Sequence, residues 1–352
     1  MKALVRYSHL PKKLKIKEIP FPNITNSKNE AIIDVKFAGI CGRDLEHYNS
    51  TISKEKIPSV LGHEFSGIVK DIKKNKFKIR NGDRVTCETV KSVCGKCTLC
   101  KSGFYNLCKK RKNIGGSTSG AFASHIKVPN AYIHKLPKNV SLEEAALIEP
   151  LAVCYNALIS NSNIKKNSSV IIFGAGTIGL LSLKIAKYKK AKIFLICTPQ
   201  DKMQIKIAKK NKVSKIYLSN TDYVKKILKD TNQQGIDLII DTVGGVDKTF
   251  QDAINLAKPG GQITKIGWFM KKDVNANFDN IVRKNLRIQG SFSHNFKIWE
   301  DCIQLLSKNK IDIKDLISKK WSISDWKEAF NLLSKRKAVK ILLSSNEKLS
   351  KL

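Results

Sequence analysis

Val170-Ile171-Ile172-Phe173-Gly174-Ala175-Gly176-Thr177-Ile178-Gly179 runs from four consecutive large apolar residues straight into a G-x-G-x-x-G. An apolar run bounded by glycine reads as a buried strand, and Ile178, Leu181 and Ile185 then recur on one face of a helix. In that setting the glycines permit a tight turn and let the backbone approach a pyrophosphate at the helix N-terminus. Gly174, Gly176, Thr177, Ile178 and Gly179 are therefore candidate dinucleotide contacts. The competing explanation is a purely structural glycine turn, and the flanking strand and helix argue against it.

Working outward, strands are expected at Val170 to Phe173, Lys192 to Cys197, Lys215 to Leu218, Asp237 to Asp241, Gln262 to Ile266 and Leu286 to Gly290, with helical patterns between most of them. Six strands joined by crossovers imply a doubly wound parallel sheet occupying about 151–290, and Val243 and Ile266 join the candidate cofactor contacts. In such folds an acid about 20 residues on, at the tip of the second strand, binds the adenosine ribose hydroxyls. Here that tip is Cys197, followed by Thr198-Pro199-Gln200-Asp201-Lys202. The missing acid removes a charge that would repel a 2′-phosphate, and Thr198 with Lys202 can hold one, which tilts the expectation toward NADP(H). Asp201, close by, weighs the other way and leaves dual use of NAD and NADP open.

The chain before this segment, about 1–150, reads as short strands and turns, an irregular β-rich domain. Ser141, followed three residues later by Glu144, has the form of a capping box opening a helix. After the parallel sheet, helices are expected at Trp299 to Ser307 and Trp326 to Ser334, a strand at Val339 to Leu343, and a polar, frayed tail after Ser344. No internal repeat or low-complexity linker interrupts the sequence.

Two groups of residues have the chemistry of metal ligands. Gly62-His63-Glu64 places an imidazole beside a carboxylate; Cys41 ends an apolar strand, and Glu149 precedes a helix-starting Pro150. Taken singly, His63 and Glu64 read as a surface turn and Cys41 as core. Taken together, one sulfur, one nitrogen and carboxylate oxygens suit zinc held with a position left for water or substrate. Cys94, Cys97, Cys100 and Cys108 form a C-x2-C-x2-C-x7-C run within fifteen positions. Four thiolates at this spacing can close a tetrahedron and pin a loop (about 94–108) too poor in apolar residues to pack alone. An iron–sulfur run would have a three-residue final gap followed by proline, whereas Lys109 follows Cys108 here. Two zinc ions per chain are expected, one catalytic and one structural.

The 352 residues suffice for two domains, and the formal charge of +36 raises polyanionic partners. The basic residues, however, are spread along the chain as pairs such as Lys73-Lys74, Lys189-Lys190 and Lys319-Lys320, without interleaved aromatics, so specific nucleic-acid binding is not expected. There is no apolar run long enough to span a bilayer and no signal-peptide pattern at the N-terminus, so a cytoplasmic protein is expected. Nine cysteines in such a chain, four of them within fifteen positions, point to metal rather than disulfides.

The combination resembles the zinc-dependent medium-chain dehydrogenase/reductase family, and within it the sorbitol, threonine and polyol-phosphate dehydrogenases. The resemblance spans essentially the whole chain. It is carried by Gly39-Ile40-Cys41-Gly42, Gly62-His63-Glu64, the four-cysteine lobe, Glu144 to Val153, the glycine turn and Gly290-Ser291-Phe292-Ser293-His294. It implies a GroES-like catalytic domain built from 1–150 and 291–352 and a Rossmann domain between them. Cys41, His63 and Glu64 are then catalytic zinc ligands, Glu149 a ligand or a carboxylate that exchanges with zinc-bound water, and Asp44 the carboxylate that orients His63. By the same resemblance a secondary alcohol, activated by zinc, passes hydride to nicotinamide. Homodimers or homotetramers are the family's habit.

One departure stands out. Many relatives carry Ser or Thr two residues after the ligand cysteine, opening a proton relay; this chain has Arg43. Glu46, His47 or Tyr48 then become relay candidates, and Arg43 either contacts an anionic substrate group such as phosphate or lies on the outer edge of the loop. The expected activity is interconversion of a secondary alcohol of a sugar alcohol or polyol phosphate with its ketone. Its rivals are oxidation of an amino alcohol of the threonine type and, from another class, a non-catalytic zinc-stabilised protein that binds nucleotide or polyanion.

Overall fold

The computed structural model describes residues 1–49, 57–270 and 273–349. They form two compact units, one of Met1–Glu149 with His294–Asn309 and Ile313–Leu352, the other of Pro150–Ser293 with Lys310–Asp312.

The second unit is built on six parallel strands: β1 (Ser169–Phe173), β2 (Lys192–Cys197), β3 (Lys215–Leu218), β4 (Ile236–Asp241), β5 (Ala257–Lys265) and β6 (Arg287–Gly290). Their spatial order is 3-2-1-4-5-6, with every neighbouring pair parallel. The order reverses between β1 and β4, the switch point outside whose carboxyl ends dinucleotides bind. Val170 to Phe173 are fully buried, as expected of a strand covered by helices on both faces. Strand β5 starts earlier than its sequence pattern suggests. Ala257 pairs with Ile236, then Lys258-Pro259-Gly260-Gly261 loops out before pairing resumes at Gln262, because proline has no N–H to give the ladder.

In the first unit, the ten-residue strand Glu30–Gly39 is the hub of a mainly antiparallel sheet. It pairs with Glu64–Ile72, His125–Pro129 and Lys340–Ser344, and a smaller sheet of Leu14–Glu18, Lys2–Arg6 and Ser59–Val60 lies in the same unit. Leu4, Ile33, Val35, Phe65, Val85, Phe122, Phe330 and Ile341 form its core. The register opposes Gly39 to Glu64 on one side and to Leu342 on the other. A side chain at position 39 would put its Cβ 2.4 Å from a Glu64 oxygen and so displace that carboxylate from its place beside Lys340.

The capping box is present: Ser141 accepts from the Glu144 N–H and the Glu144 carboxylate accepts from the Ser141 N–H. Helix Ile148–Tyr155 starts before Pro150, which occupies its first turn. The helix expected from Trp299 begins at Phe296, because Asn295 accepts from the Ile298 N–H as its cap. Up to Leu349 the tail makes contacts that its polarity did not suggest, and residues 350–352 lie outside the described residues. Glu347 accepts from Lys2, Ser322 and Ser324, and Glu347–Leu349 form a 3-10 turn. No helix among the described residues is long and apolar enough to cross a membrane.

Candidate functional site

Cys41 follows the hub strand by two residues and immediately precedes helix Gly42–Asn49, while His63 immediately precedes the neighbouring strand that Glu64 opens. The sheet register therefore delivers one sulfur, one ring nitrogen and one carboxylate oxygen to within 4.8 Å of one another. Zinc donors at 2.0–2.3 Å in a tetrahedron stand roughly 3.3–3.8 Å apart, so this set fits the ion in both chemistry and spacing. Glu149, expected among the ligands, falls outside the three-donor set.

Burial and then the Glu64 charge push the Cys41 thiol up. Burial acts to lower His63, but the adjoining Cys41 sulfur, Asp44 and Glu149 outweigh it and raise the imidazole well above its ordinary value. A bound cation reverses both preferences by displacing the protons, so metal uptake here is coupled to proton release.

Sequence reasoning missed the cation behind Glu64. Lys340 is almost wholly buried and donates to Glu64 Oε2 at 2.6 Å and to the Ile40 carbonyl at 2.9 Å. Burial opposes its charge, but the Glu64 carboxylate and Cys41 outweigh burial and hold the ammonium above its ordinary range. A lysine inside the apolar run Val339 to Leu343 was the available signal.

Asp44 stands at ion-pair distance from His63 without a hydrogen bond to it. Its Oδ1 is 4.0 Å from His63 Nδ1, beyond hydrogen-bond range, because the buried carboxylate already accepts the backbone N–H of Cys41 at 2.9 Å and of Gly62 at 3.2 Å. It thereby ties the two ligand-bearing segments together through their main chains. Glu149 Oε1 instead meets His294 Nε2 at 3.3 Å, and the Trp299 indole N–H donates to His294 Nδ1 at 2.6 Å. Burial raises Glu149, yet the His294 hydrogen bond and the His63 charge bring it below its ordinary value.

The substitutes for the hydroxyl relay are scattered. Arg43 is exposed and its Nε faces His47 Nε2 at 3.2 Å; Arg6 faces His47 Nδ1 at 3.3 Å. Burial, then the Arg43 and Arg6 charges, hold His47 down to about 4, so it is uncharged at neutral pH. Glu46 is exposed, and Tyr48 packs edge-on against Trp326 and Phe330.

Cys94, Cys97, Cys100 and Cys108 converge with their sulfurs within 4.8 Å of one another. The Lys96 and Cys97 N–H groups lower Cys94 to about 6, while Cys100 is pushed up to about 12, by desolvation first and by its thiol neighbours. Four sulfurs this close ionise together only around a cation. Leu99, Phe104 and Leu107 of the same loop are exposed, so the loop has no apolar core of its own. Among the described residues these are the two clusters that can hold a metal.

In the second unit, Gly174 takes φ +94°, and a Cβ on Gly179 would lie 1.9 Å from the Gly174 carbonyl oxygen, so this turn admits only glycine at both positions. Gly176 caps helix α1 (Thr177–Tyr188), which carries Thr177 and Ile178 in its first turn. Val243 follows β4 and Ile266 follows β5 at the same carboxyl ends. Cys197 is buried, and burial with Asp201 raises its thiol to about 11. Thr198 donates both its N–H and its hydroxyl to Asp201 Oδ2, each at 2.8 Å, and Lys202 is exposed.

Residues 27–138 match the alcohol dehydrogenase GroES-like domain family and residues 177–308 the zinc-binding dehydrogenase family. The chain is 33% identical to a sorbitol dehydrogenase of Halalkalibacterium halodurans over 345 residues, covering 98% of this chain and 99% of that protein. It is 34% identical to a D-arabitol-phosphate dehydrogenase of Enterococcus avium, covering 94% and 93%. The galactitol-1-phosphate dehydrogenase structure from Escherichia coli superposes with a TM-score of 0.88 at 28% identity, covering 98% of this chain and 100% of that one. Similarity of this extent, over a GroES-like unit and a Rossmann sheet, means that the chain belongs to the zinc-dependent medium-chain dehydrogenase/reductase family, oxidoreductases that act on CH–OH groups with zinc and a nicotinamide cofactor.

Proposed function

We propose that this enzyme interconverts a secondary alcohol of a sugar alcohol or polyol phosphate with its ketone. The observation that carries the reading is the mixed Cys41–His63–Glu64 donor set beside a separately held Glu149, since three protein donors leave a tetrahedral ion one position for substrate. The polyol and polyol-phosphate relatives support the substrate class. When bound, zinc supplies Lewis-acid stabilisation to the alcohol oxygen and nicotinamide accepts the hydride. Cys41, His63 and Glu64 would hold the metal, Lys340 offsets the charge that Glu64 adds, and Glu149 accepts a substrate hydroxyl. Arg43 and Arg6, either side of His47, bring positive charge to the Cys41 loop, which favours the phosphorylated members of the class.

We assign catalysis to the first unit and dinucleotide binding to the second, with a second, structural zinc at Cys94, Cys97, Cys100 and Cys108. The finer cofactor reading is NADP(H). Cys197 replaces the ribose-binding acid, Asp201 is turned onto Thr198, and the Lys202 ammonium is exposed beside the strand tip. A homo-oligomer assembled through the second unit is supported by edge strand β6 with Ile288 exposed, next in sequence to helix Phe278–Arg283 with Phe278 and Val282 exposed. Nine free thiols fit a cytoplasmic setting.

The test is zinc content and NADH against NADPH binding on one sample, followed by a panel of polyols and their phosphates. Two zincs per chain, tighter NADPH binding and turnover with a polyol are expected. One zinc per chain, or no turnover with any polyol or ketose, would overturn the reading. Lys202→Ala should narrow the preference between cofactors by several-fold, about one charge-assisted hydrogen bond.

A further inference from the structure

The indole N–H of Trp299 is a donor without acceptor capacity. It meets Nδ1 of His294 at 2.6 Å, so Nδ1 is the accepting nitrogen and the ring hydrogen sits on Nε2. Nε2 in turn lies 3.3 Å from Glu149 Oε1 and donates to the carboxylate. Both rings are fully buried, whereas the Glu149 side chain keeps 11% of its surface in solvent. Trp299 is itself fixed: the His134 ring stacks on it at 5.4 Å and 14°, and His134 is bound through both nitrogens, to Glu88 and to Glu300. These contacts link Glu149 to a buried chain of rings and carboxylates that runs through His294 and Trp299 to His134.

We propose that Trp299 and His294 are positioning residues for Glu149. The indole fixes His294 in its Nε2–H form, and this N–H keeps the carboxylate outside the Cys41–His63–Glu64 set, leaving the remaining metal position to the alcohol. The proposal rests on the reading of those three residues as the ligand set. Without the His294 donor, Glu149 joins the metal donors, so that metal is held more tightly and alcohol competes less well for it.

The tautomer is read in metal-free protein labelled with 15N-histidine, where His294, one of six histidines, is assigned by its loss in His294→Gln. A protonated Nε2 and a bare Nδ1 are expected, and Trp299→Phe, which removes only the N–H, should mix the two forms. A protonated Nδ1, or an unchanged pattern in Trp299→Phe, overturns the proposal. In the loaded enzyme, His294→Leu should bind cobalt about tenfold more tightly in chelator competition and raise the KM for alcohol about tenfold, with little change in kcat or nucleotide KM. His294→Gln, which keeps an N–H donor, should restore most of both. Unchanged cobalt affinity in a normally folded His294→Leu, or a gain that persists when Glu149→Gln is added, overturns the proposal. Should His294→Leu fail to fold, Trp299→Phe carries the same affinity measurement. Inactivity toward every polyol would sink the substrate reading, while the tautomer and affinity results would still decide this one.

Discussion

Cys94, Cys97, Cys100 and Cys108 come from one loop of fifteen residues, whereas Cys41, His63 and Glu64 are gathered from the facing ends of two neighbouring strands of a sheet whose register is set elsewhere. The loop exposes Leu99, Phe104 and Leu107, and it meets the rest of its unit through Tyr105, which donates to Glu88, and the Gly103 carbonyl, which accepts from Asn295. The mixed set sits on a sheet with its own core, and its charges are already balanced by Lys340 and braced by Asp44. On the proposed reading a bound metal would add most to the lobe, whereas the sheet brings the mixed donors together by itself. A donor set that the fold can hold by itself is free to keep one position open.

Substitution separates the two most sharply. Cys41→Ala should reduce turnover by at least about a thousandfold, the several kcal/mol of Lewis-acid stabilisation, with the melting temperature nearly unchanged and one zinc retained. Cys97→Ala should do the reverse, losing the lobe zinc and lowering the melting temperature by many degrees; equal melting curves for the two variants would erase the contrast. Lys340→Met probes whether the mixed site is balanced by the fold. Leaving Glu64 buried without its partner should cost about 3–5 kcal/mol in denaturant unfolding of the metal-free protein, and a cost below about 1 kcal/mol would show that Glu64 does not depend on it.

A smaller effect tests the charge network beside Trp299. Burial acts to lower His134, but its bonds to Glu300 and Glu88 outweigh it and raise its pKa. A pKa raised by folding stabilises fully below the unfolded value of about 6.5, and that stabilisation is lost as pH rises through the folded value. His134→Gln should therefore lower the melting temperature more at about pH 6 than at about pH 9, and a difference independent of pH would mean that His134 acts by packing alone.

The lobe was legible because its ligands are neighbours in sequence, and His63-Glu64 because they are adjacent. The central parallel strands were legible as short apolar runs and the edge strands by their spacing between helical patterns; only the looped-out Lys258 to Gly261 escaped, since a proline and two glycines resemble a turn. What could not be read depends on strand register. Lys340 is one of 65 Lys and Arg residues, and only the pairing of Gly39 with both Glu64 and Leu342 marks it out. The role of His294 needs Trp299, five residues on, one helical turn past the Asn295 cap. Asp44 stands near His63 as expected, but its hydrogen bonds to the Cys41 and Gly62 N–H groups depend on the fold and could not be read from sequence.

The Lys340–Glu64 pair spans 276 residues of chain. At about 5–20 residues per second, a ribosome that has made Glu64 needs roughly 15–55 s more to make Lys340. Throughout that interval the nascent hub strand can pair with Glu64–Ile72 but cannot bury the Glu64 carboxylate at low cost. The buried Glu64 carboxylate thus acquires its counter-charge late in synthesis, and a chain ending upstream of Lys340 would lack it.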